Sequence, residues 1–311
     1  MRTEIILNVK AGSLINADKE LFAERIRGIF EAAGHTVRVS IAHPRDIADH
    51  IRRIRDAGNC DALVAAGGDG TISSAASILA GSEVALGILP GGTMNLFART
   101  LDLPVDLEEA AAALATGSPE WVDICEVDDQ LFLHHLTLGL HPRILRLREK
   151  LQYDSRLGKL YAGFRAWMTV LRSPPVLSVE AWVGGERITL STPALAITNN
   201  AMQSGLGRLP YSDDPQGGRL ALYVCTSREW RDLLQLSVDV TLGTWADNPV
   251  VEKRLAREII VRPSHTKVTV SLDGEIVRLK TPLRVRMREQ GLRVLLPKKD
   301  APLEERTKND L

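Results

Sequence analysis

The run Gly67-Gly68-Asp69-Gly70-Thr71 constrains this chain more than any other stretch. It follows Asp61 to Ala66, an apolar run of strand length, and opens onto Thr71 to Ala80, a stretch of helical pattern that ends at Gly81. Strand, glycine turn and helix in that order form half of a parallel crossover unit. The neighbouring segments repeat the alternation. Glu4 to Val9, Thr36 to Ile41 and Val84 to Leu89 read as strands. Asp18 to Ala33, Pro44 to Ala57, Thr93 to Leu101 and Asp106 to Ala115 read as helices, the first closed by Gly34 and the second by Gly58. Ile47, Ile51 and Ile54 fall on one helical face, and Asp106 is the expected N-cap of its helix. The first third of the chain is therefore expected to be α/β: a parallel sheet with helices on both faces.

The pattern changes near residue 120. Trp121 to Val127 and Leu131 to Leu138 flank Asp128-Asp129, and Val176 to Val183 and Arg187 to Ser191 flank Gly184-Gly185; both read as hairpins. An amphipathic helix is expected from Pro142 to Arg172, stopped by Pro174-Pro175. Ala194 to Thr198, Arg219 to Thr226, Glu258 to Arg262, Lys267 to Leu272, Glu275 to Leu279, Leu283 to Met287 and Gly291 to Leu296 read as further strands, interrupted by a helix over Trp230 to Leu242. This half is β-rich. A length of 311 residues exceeds one ordinary core. The expected division is an α/β lobe over 1–125, to which 288–311 returns, and a β-rich lobe over 126–287, with a frayed charged tail from Lys298 to Leu311.

Lysine plus arginine and aspartate plus glutamate each number 39, so the net charge is zero, which argues against a nucleic-acid partner held by bulk electrostatics. Arg143, Arg146, Arg148, Lys150, Arg156 and Lys159 fall close together. They are read either as a solvated helix face or as a patch for anionic lipid. Cys60, Cys125 and Cys225 are far apart and lie mostly within apolar runs, which fits reduced, buried thiols. The N-terminal run lacks a cleavage pattern, and no run of about 18 apolar residues occurs. A cytoplasmic location without a transmembrane segment is expected.

The glycines of the 67–71 loop let the backbone approach a ligand closely, and the following helix aims unpaired N–H groups at the same point. That suits phosphate. An acid among those glycines would repel phosphate unless a divalent cation stood between them, so Asp69 is read as an Mg²⁺ ligand. The bland alternative is a tight turn with Asp69 capping its helix. A second loop, Leu89-Pro90-Gly91-Gly92-Thr93-Met94-Asn95, also joins strand to helix. The Thr93 hydroxyl and Asn95 amide suit phosphate or ribose, while Thr93 also reads as the cap of the next helix. Candidate nucleotide contacts are thus Gly67, Gly68, Gly70 and Thr71 in the first loop and Gly92, Thr93 and Asn95 in the second. His134 and His135 point to opposite faces of a strand and are read as ordinary strand residues. Trp167, Trp182, Trp230 and Trp245 are expected in the core or lipid mouth of the second lobe.

GGDGT followed by GILPGGTMNLFART resembles the catalytic domain shared by diacylglycerol kinases, sphingosine kinases and bacterial lipid kinases. Asn8-Val9-Lys10-Ala11-Gly12 is similar to that family's opening nucleotide loop, and Ser271-Leu272-Asp273-Gly274-Glu275 to its late Asp-Gly-Glu segment. Thr198-Asn199-Asn200 and Gly217-Gly218-Arg219-Leu220 resemble the middle of its second domain. The resemblance spans about residues 5–296. It implies an NAD-kinase-like fold with ATP and Mg²⁺ in the cleft, contacted by Asn8, Gly68, Asp69, Gly70 and Thr93, with Ser40 near a nucleotide-contacting threonine of the family. It implies Glu275 as general base, a lipid acceptor met at a membrane surface, and a homodimer. Glu275 also fits the chemistry, because a lipid hydroxyl is a poor nucleophile until a carboxylate takes its proton. Asp273, counted with the nucleotide-site residues, stands two positions away, so on a strand the two would face the same way; Gly274 between them reads instead as a hairpin turn.

Three positions depart from the family pattern. The usual Asn-Asp after PxGTx is Asn95-Leu96, an Asp-Gly in the second domain is Gly217-Gly218 with Asp213 and Asp214 nearby, and a Gly-Phe-Asp is Gly139-Leu140-His141. Two alternatives follow: a non-catalytic nucleotide- or lipid-binding member, or a kinase of a soluble acceptor such as NAD.

Overall fold

The computed structural model describes residues 1–15, 18–150, 165, 167–212 and 214–298. Its first half is built on four parallel strands in the order β2 (Thr36–Ala42), β1 (Arg2–Asn8), β3 (Ala62–Gly67), β4 (Ala85–Pro90). Strands β3 and β4 are buried at every residue, which is why they read as unbroken apolar runs. Helices α1 (Lys19–Ala32), α2 (Pro44–Ala57), α3 (Asp69–Leu79), α4 (Leu96–Thr100) and α5 (Leu107–Ala115) accompany them. Ile47, Ile51 and Ile54 are the buried face of α2, and each such side chain contributes about 2 kcal/mol of burial. Gly58 ends α2 at φ 64°, a left-handed conformation that costs glycine nothing. Asp106 caps α5 by accepting from the Glu108 and Glu109 amides. Because the strands run parallel, the loops after β1, β3 and β4 emerge on one edge, where open α/β sheets bind ligands.

The second half is a sandwich. Twelve strands follow: β5 (Ser118–Val127), β6 (Gln130–Phe132), β7 (His135–Gly139), β8 (Leu177–Val183), β9 (Glu186–Thr192), β10 (Ala194–Asn199), β11 (Leu220–Cys225), β12 (Val251–Ala256), β13 (Glu258–Pro263), β14 (Lys267–Leu272), β15 (Glu275–Lys280) and β16 (Leu283–Leu296). A six-stranded antiparallel sheet runs β12-β11-β10-β7-β14-β15. Its inner face carries Leu136, Leu138, Ile197, Leu222 and Val270, which pack on Val179, Ala181, Ile259, Val261 and Val285 of the first sheet. Helices α6 (Leu140–Lys150) and α7 (Trp230–Leu242) lie in this half, as do the helical residues 167–172; α6 covers the edge formed by β7, β14 and β15.

Strand β16 joins the two halves. Its first part pairs with β13, and its last part lies parallel to β4 at Val294–Leu86, while β5 runs antiparallel along its length. The sequence reads as two strands here, over Leu283 to Met287 and Gly291 to Leu296. Between them the register shifts at Arg288/Leu292, and Gln290 adopts φ 50°. This is a bulge rather than a chain reversal. The Gln290 amide it frees is accepted by the buried Asp123 carboxylate at 3.0 Å, whose other oxygen holds the Gly218 amide at 3.0 Å. Two other expectations need correction, and one strand was missed. Leu131 to Leu138 is not one strand but β6 and β7, which belong to different sheets. Strand β12, which was not expected, carries three consecutive charges, Glu252 to Arg254, at an edge, where burial leaves no apolar run to read. Helix α4 is confined to Leu96–Thr100. Of the expected helix over Pro142 to Arg172, α6 covers the start and the helical residues 167–172 the end, and Arg156, Lys159 and the Arg148 and Lys150 side chains lie outside what is described, as do Asp213 and the tail beyond Lys298. Arg143 donates to the Ser173 carbonyl. The three cysteines are free and buried. Trp245 is buried edge-on against Tyr223, Trp182 lies under Arg187 and Arg262, and Trp230 is exposed.

Candidate active site

Three loops converge where the parallel strands end. The β3–α3 and β4–α4 loops touch backbone to backbone: a Cβ at Gly92 would stand 2.6 Å from the Gly68 Cα, and one at Gly91 would stand 3.3 Å from the Gly67 Cα. A Cβ at Gly91 would also meet the Ala11 Cβ at 2.9 Å, which brings in the β1 loop. A Cβ at Gly67 would be 2.5 Å from that of Thr71. The glycines are thus required by the mutual approach of the loops. Asn8 fastens the first loop to the second: its amide donates to the Thr71 hydroxyl at 3.0 Å and accepts from the Lys10 amide at 2.9 Å.

Asp69 sits at the first position of α3, half-buried, and does not cap that helix. Its carboxylate instead accepts the Leu96 amide at 2.7 Å and the Asn95 amide at 3.0 Å, so it caps α4 from the neighbouring loop. Asn95 closes its own loop. It adopts φ 49°, and its side chain accepts from the Gly92 amide at 2.8 Å and donates to the Gly92 carbonyl at 2.9 Å. Its amide is therefore engaged within the loop. Thr93 does not cap α4; it lies exposed at the tip.

The late acidic segment comes from the other half of the molecule. Asp273 and Gly274 form a two-residue turn, φ 46° and 92°, between β14 and β15, with Leu272 paired to Glu275. Asp273 and Glu275 therefore do not share a strand face. The Asp273 carboxylate accepts four hydrogen bonds: the Leu133, His134 and His135 amides at 2.7, 2.9 and 3.0 Å, and the Ser73 hydroxyl at 3.0 Å. Two of these amides lie in the gap between β6 and β7 and the third opens β7, so Asp273 replaces the ladder there and ties it to α3. Two residues on, Glu275 is exposed, and its Oε1 lies 3.6 Å from where a Cβ on Gly70 would be. A carboxylate of one half thus stands over the first turn of α3 in the other. Beside it a cleft of about 190 Å³ is lined by Ser73, Ser74, Ser77, Gln130, Leu131 and Val277, among others.

His134 packs edge-on against Phe97 of α4 at 5.8 Å, and His135 turns towards His141 at 5.7 Å, so the pair do point apart. Burial pushes both imidazoles below their ordinary pKa, against the opposing pull of Asp273. Ser40 is on β2 beside Ile6, one strand away from the Asn8–Thr71 bond and outside the side-chain network. Ser73, absent from the sequence reading, links α3 to Asp273, and nothing in the sequence sets it apart from Ser74 or Ser77. At the departures, a Cβ on Gly217 would meet the Asn200 Oδ1 at 2.7 Å and the Asp214 Oδ2 at 2.8 Å. Among the described residues no group of three histidine, cysteine or acidic side chains forms a metal cage. No helix among them is long and apolar enough to cross a membrane.

This arrangement, a glycine-looped α/β sheet facing a β-sandwich across a cleft, is shared with solved kinases. The crystal structure of a diacylglycerol kinase from Bacillus anthracis superposes with a TM-score of 0.72 at 20% identity, over 96% of this chain and 97% of that one. Yeast NADH kinase complexed with NADH superposes at 0.51 and 13% identity, over 95% and 83%. In sequence, a Staphylococcus epidermidis protein named "Putative lipid kinase" is 26% identical over 258 residues, 80% of this chain and 82% of that protein. Residues 2–127 match the diacylglycerol kinase catalytic domain.

Proposed function

We propose that this protein transfers the γ-phosphate of ATP to a hydroxyl of a lipid acceptor, with Glu275 as the general base and Asp69 at the Mg·ATP phosphates. One observation carries the reading: the Glu275 carboxylate stands over Gly70, at the helix N-terminus that follows the glycine loop. A base and a phosphate cradle from opposite halves of the chain meet there. The family match and the lipid-kinase name of a relative support the acceptor class. In this reading residues 1–125 and 288–298 form the nucleotide lobe and 126–287 the acceptor lobe.

The roles divide as follows. Backbone amides of Gly67, Gly68 and Gly70 and the hydroxyl of Thr93 receive the phosphates, Gly92, whose own amide is held by Asn95, lets the second loop approach them, and Asn8 and Thr71 brace the loop. Ser40 stays assigned to the nucleotide's outer edge. Asn95 and Asp273 act by positioning, since their polar atoms are already engaged. The Asp69 carboxylate has used two of its about four acceptor sites, and hard oxygen donors suit Mg²⁺, which needs only one or two carboxylates besides phosphate and water. Bound there, the cation would neutralise charge on the phosphates. The acceptor hydroxyl gives its proton to Glu275, its oxygen forms a bond to the γ-phosphorus, and the bond from that phosphorus to the bridging oxygen breaks, releasing ADP.

The test is transfer of label from [γ-³²P]ATP into extractable lipid in mixed micelles containing diacylglycerol, monoacylglycerol, phosphatidylglycerol or a sphingoid base, with Mg²⁺ or with EDTA. A labelled lipid that disappears with EDTA is expected. Label on NAD alone, or none with ATP still bound, would overturn the reading.

A further inference from the structure

The cleft beside Glu275 has three walls of different character. One is the flank of α3, where Gly70, Ser73, Ser74 and Ser77 recur at helical spacing. The second is β14–β15, giving Leu272, Glu275 and Val277, and the third is the β5–β6 hairpin, giving Gln130 and Leu131. Ser73 is already bonded to Asp273. The hydroxyls of Ser74 and Ser77, the Gln130 amide and the Asp273 carboxylate complete the polar lining. At about 190 Å³ the cleft falls short of the roughly 300–1,000 Å³ that drug-sized ligands fill. At about 30 Å³ per water-sized group it holds roughly six non-hydrogen atoms. A three-carbon polyol matches that volume.

Resting on the kinase reading above, we infer that this cleft takes the head of the acceptor, and that the acceptor class is a lipid ending in a glycerol with two adjacent free hydroxyls, such as a monoacylglycerol or a phosphatidylglycerol. The hydroxyl nearer α3's first turn reaches Glu275 and is the one phosphorylated. The adjacent hydroxyl bonds to Ser74 or Ser77, and the carbon backbone lies against Leu131, Leu272 and Val277. A sphingoid base brings an ammonium, and of the two carboxylates that line the cleft Glu275 is the base and Asp273 already accepts four hydrogen bonds. A diacylglycerol offers one hydroxyl and leaves the serines unmet.

The experiment compares kcat/KM for 1-monoacylglycerol with that for its 2-O-methyl ether of the same chain length, in wild type and in Ser74→Ala/Ser77→Ala. Alanine favours the helix, so the variant retains α3; an unchanged KM for ATP checks this. Wild type is expected to prefer the diol by about 5–10-fold, the scale of one hydrogen bond, and the double variant to lose that preference. Ser77→Leu, which fills the cleft, is expected to raise the acceptor KM without changing that for ATP. Equal wild-type rates on diol and ether, or a preference that survives both serine changes, would overturn the inference while leaving the kinase reading standing. Phosphorylation of no lipid at all would sink the kinase reading itself.

Discussion

Replacing Asp273 with alanine should destabilise the protein more than any other single change in the cleft. Four donors converge on its carboxylate, three of them main-chain amides where β6 gives way to β7. Hydrogen bonds to a charged group contribute about 1.5–3 kcal/mol each. Four would sum to about 6–12 kcal/mol, but they share one acceptor and the turn is partly open to water, so the bonds are not additive. A loss of about 3–4 kcal/mol is expected, a large part of the usual 5–15 kcal/mol total. Asp273→Asn keeps one oxygen and turns an N–H towards the other pair, and should cost about half as much. With a urea slope of about 3 kcal/mol/M, the alanine variant should unfold near 1 M lower in urea by circular dichroism. Its kcat should fall too, because Glu275 hangs from the same turn. An Asp273→Ala midpoint within about 0.2 M of wild type would refute the claim that this carboxylate holds the two halves in register.

The glycine loops and the histidines give two further expectations. Gly92→Ala puts a Cβ 2.6 Å from the Gly68 backbone; an overpacking cost of about 1–3 kcal/mol and a raised KM for ATP should appear together in thermal melts and initial rates. The His134 and His135 pKa values are lowered by burial, so the unfolded chain binds more protons than the folded one between the two pKa values. Their contribution to stability is complete above the unfolded value near 6.5 and is lost as pH falls through the folded values. Melts from pH 7.5 down to pH 5 should show falling stability, less steep in His134→Gln.

Much of the first half was legible because burial on both sides leaves a plain record. Strands β3 and β4 are apolar throughout, α2 repeats isoleucine on one face, and Gly58 and Asp106 end and start their helices by local chemistry. Both type I′-like turns, Gly184-Gly185 and Asp273-Gly274, were also visible. What was not legible depends on partners distant in sequence. Leu133 and His134 read as strand because nothing local says their amides bond to a carboxylate 139 or 140 positions away. Glu289-Gln290-Gly291 reads as a break because the Asp123 carboxylate that holds the bulge lies 167 positions earlier. At the candidate site, GGDGT marked the strand–helix loop that packs against the second glycine loop. That Asp69 caps α4 rather than α3, and that Asn95 is consumed by its own loop, follow from the packing of two loops against each other.

The central claim is most directly tested by Glu275→Gln, which keeps the shape and removes the base. The measurement is kcat for lipid phosphorylation alongside KM for ATP, with circular dichroism as the check on folding. A fall in kcat of about 10²–10⁴-fold with KM for ATP unchanged is predicted. A kcat within threefold of wild type would contradict the account, because a carboxylate over Gly70 would then not be the group that takes the proton.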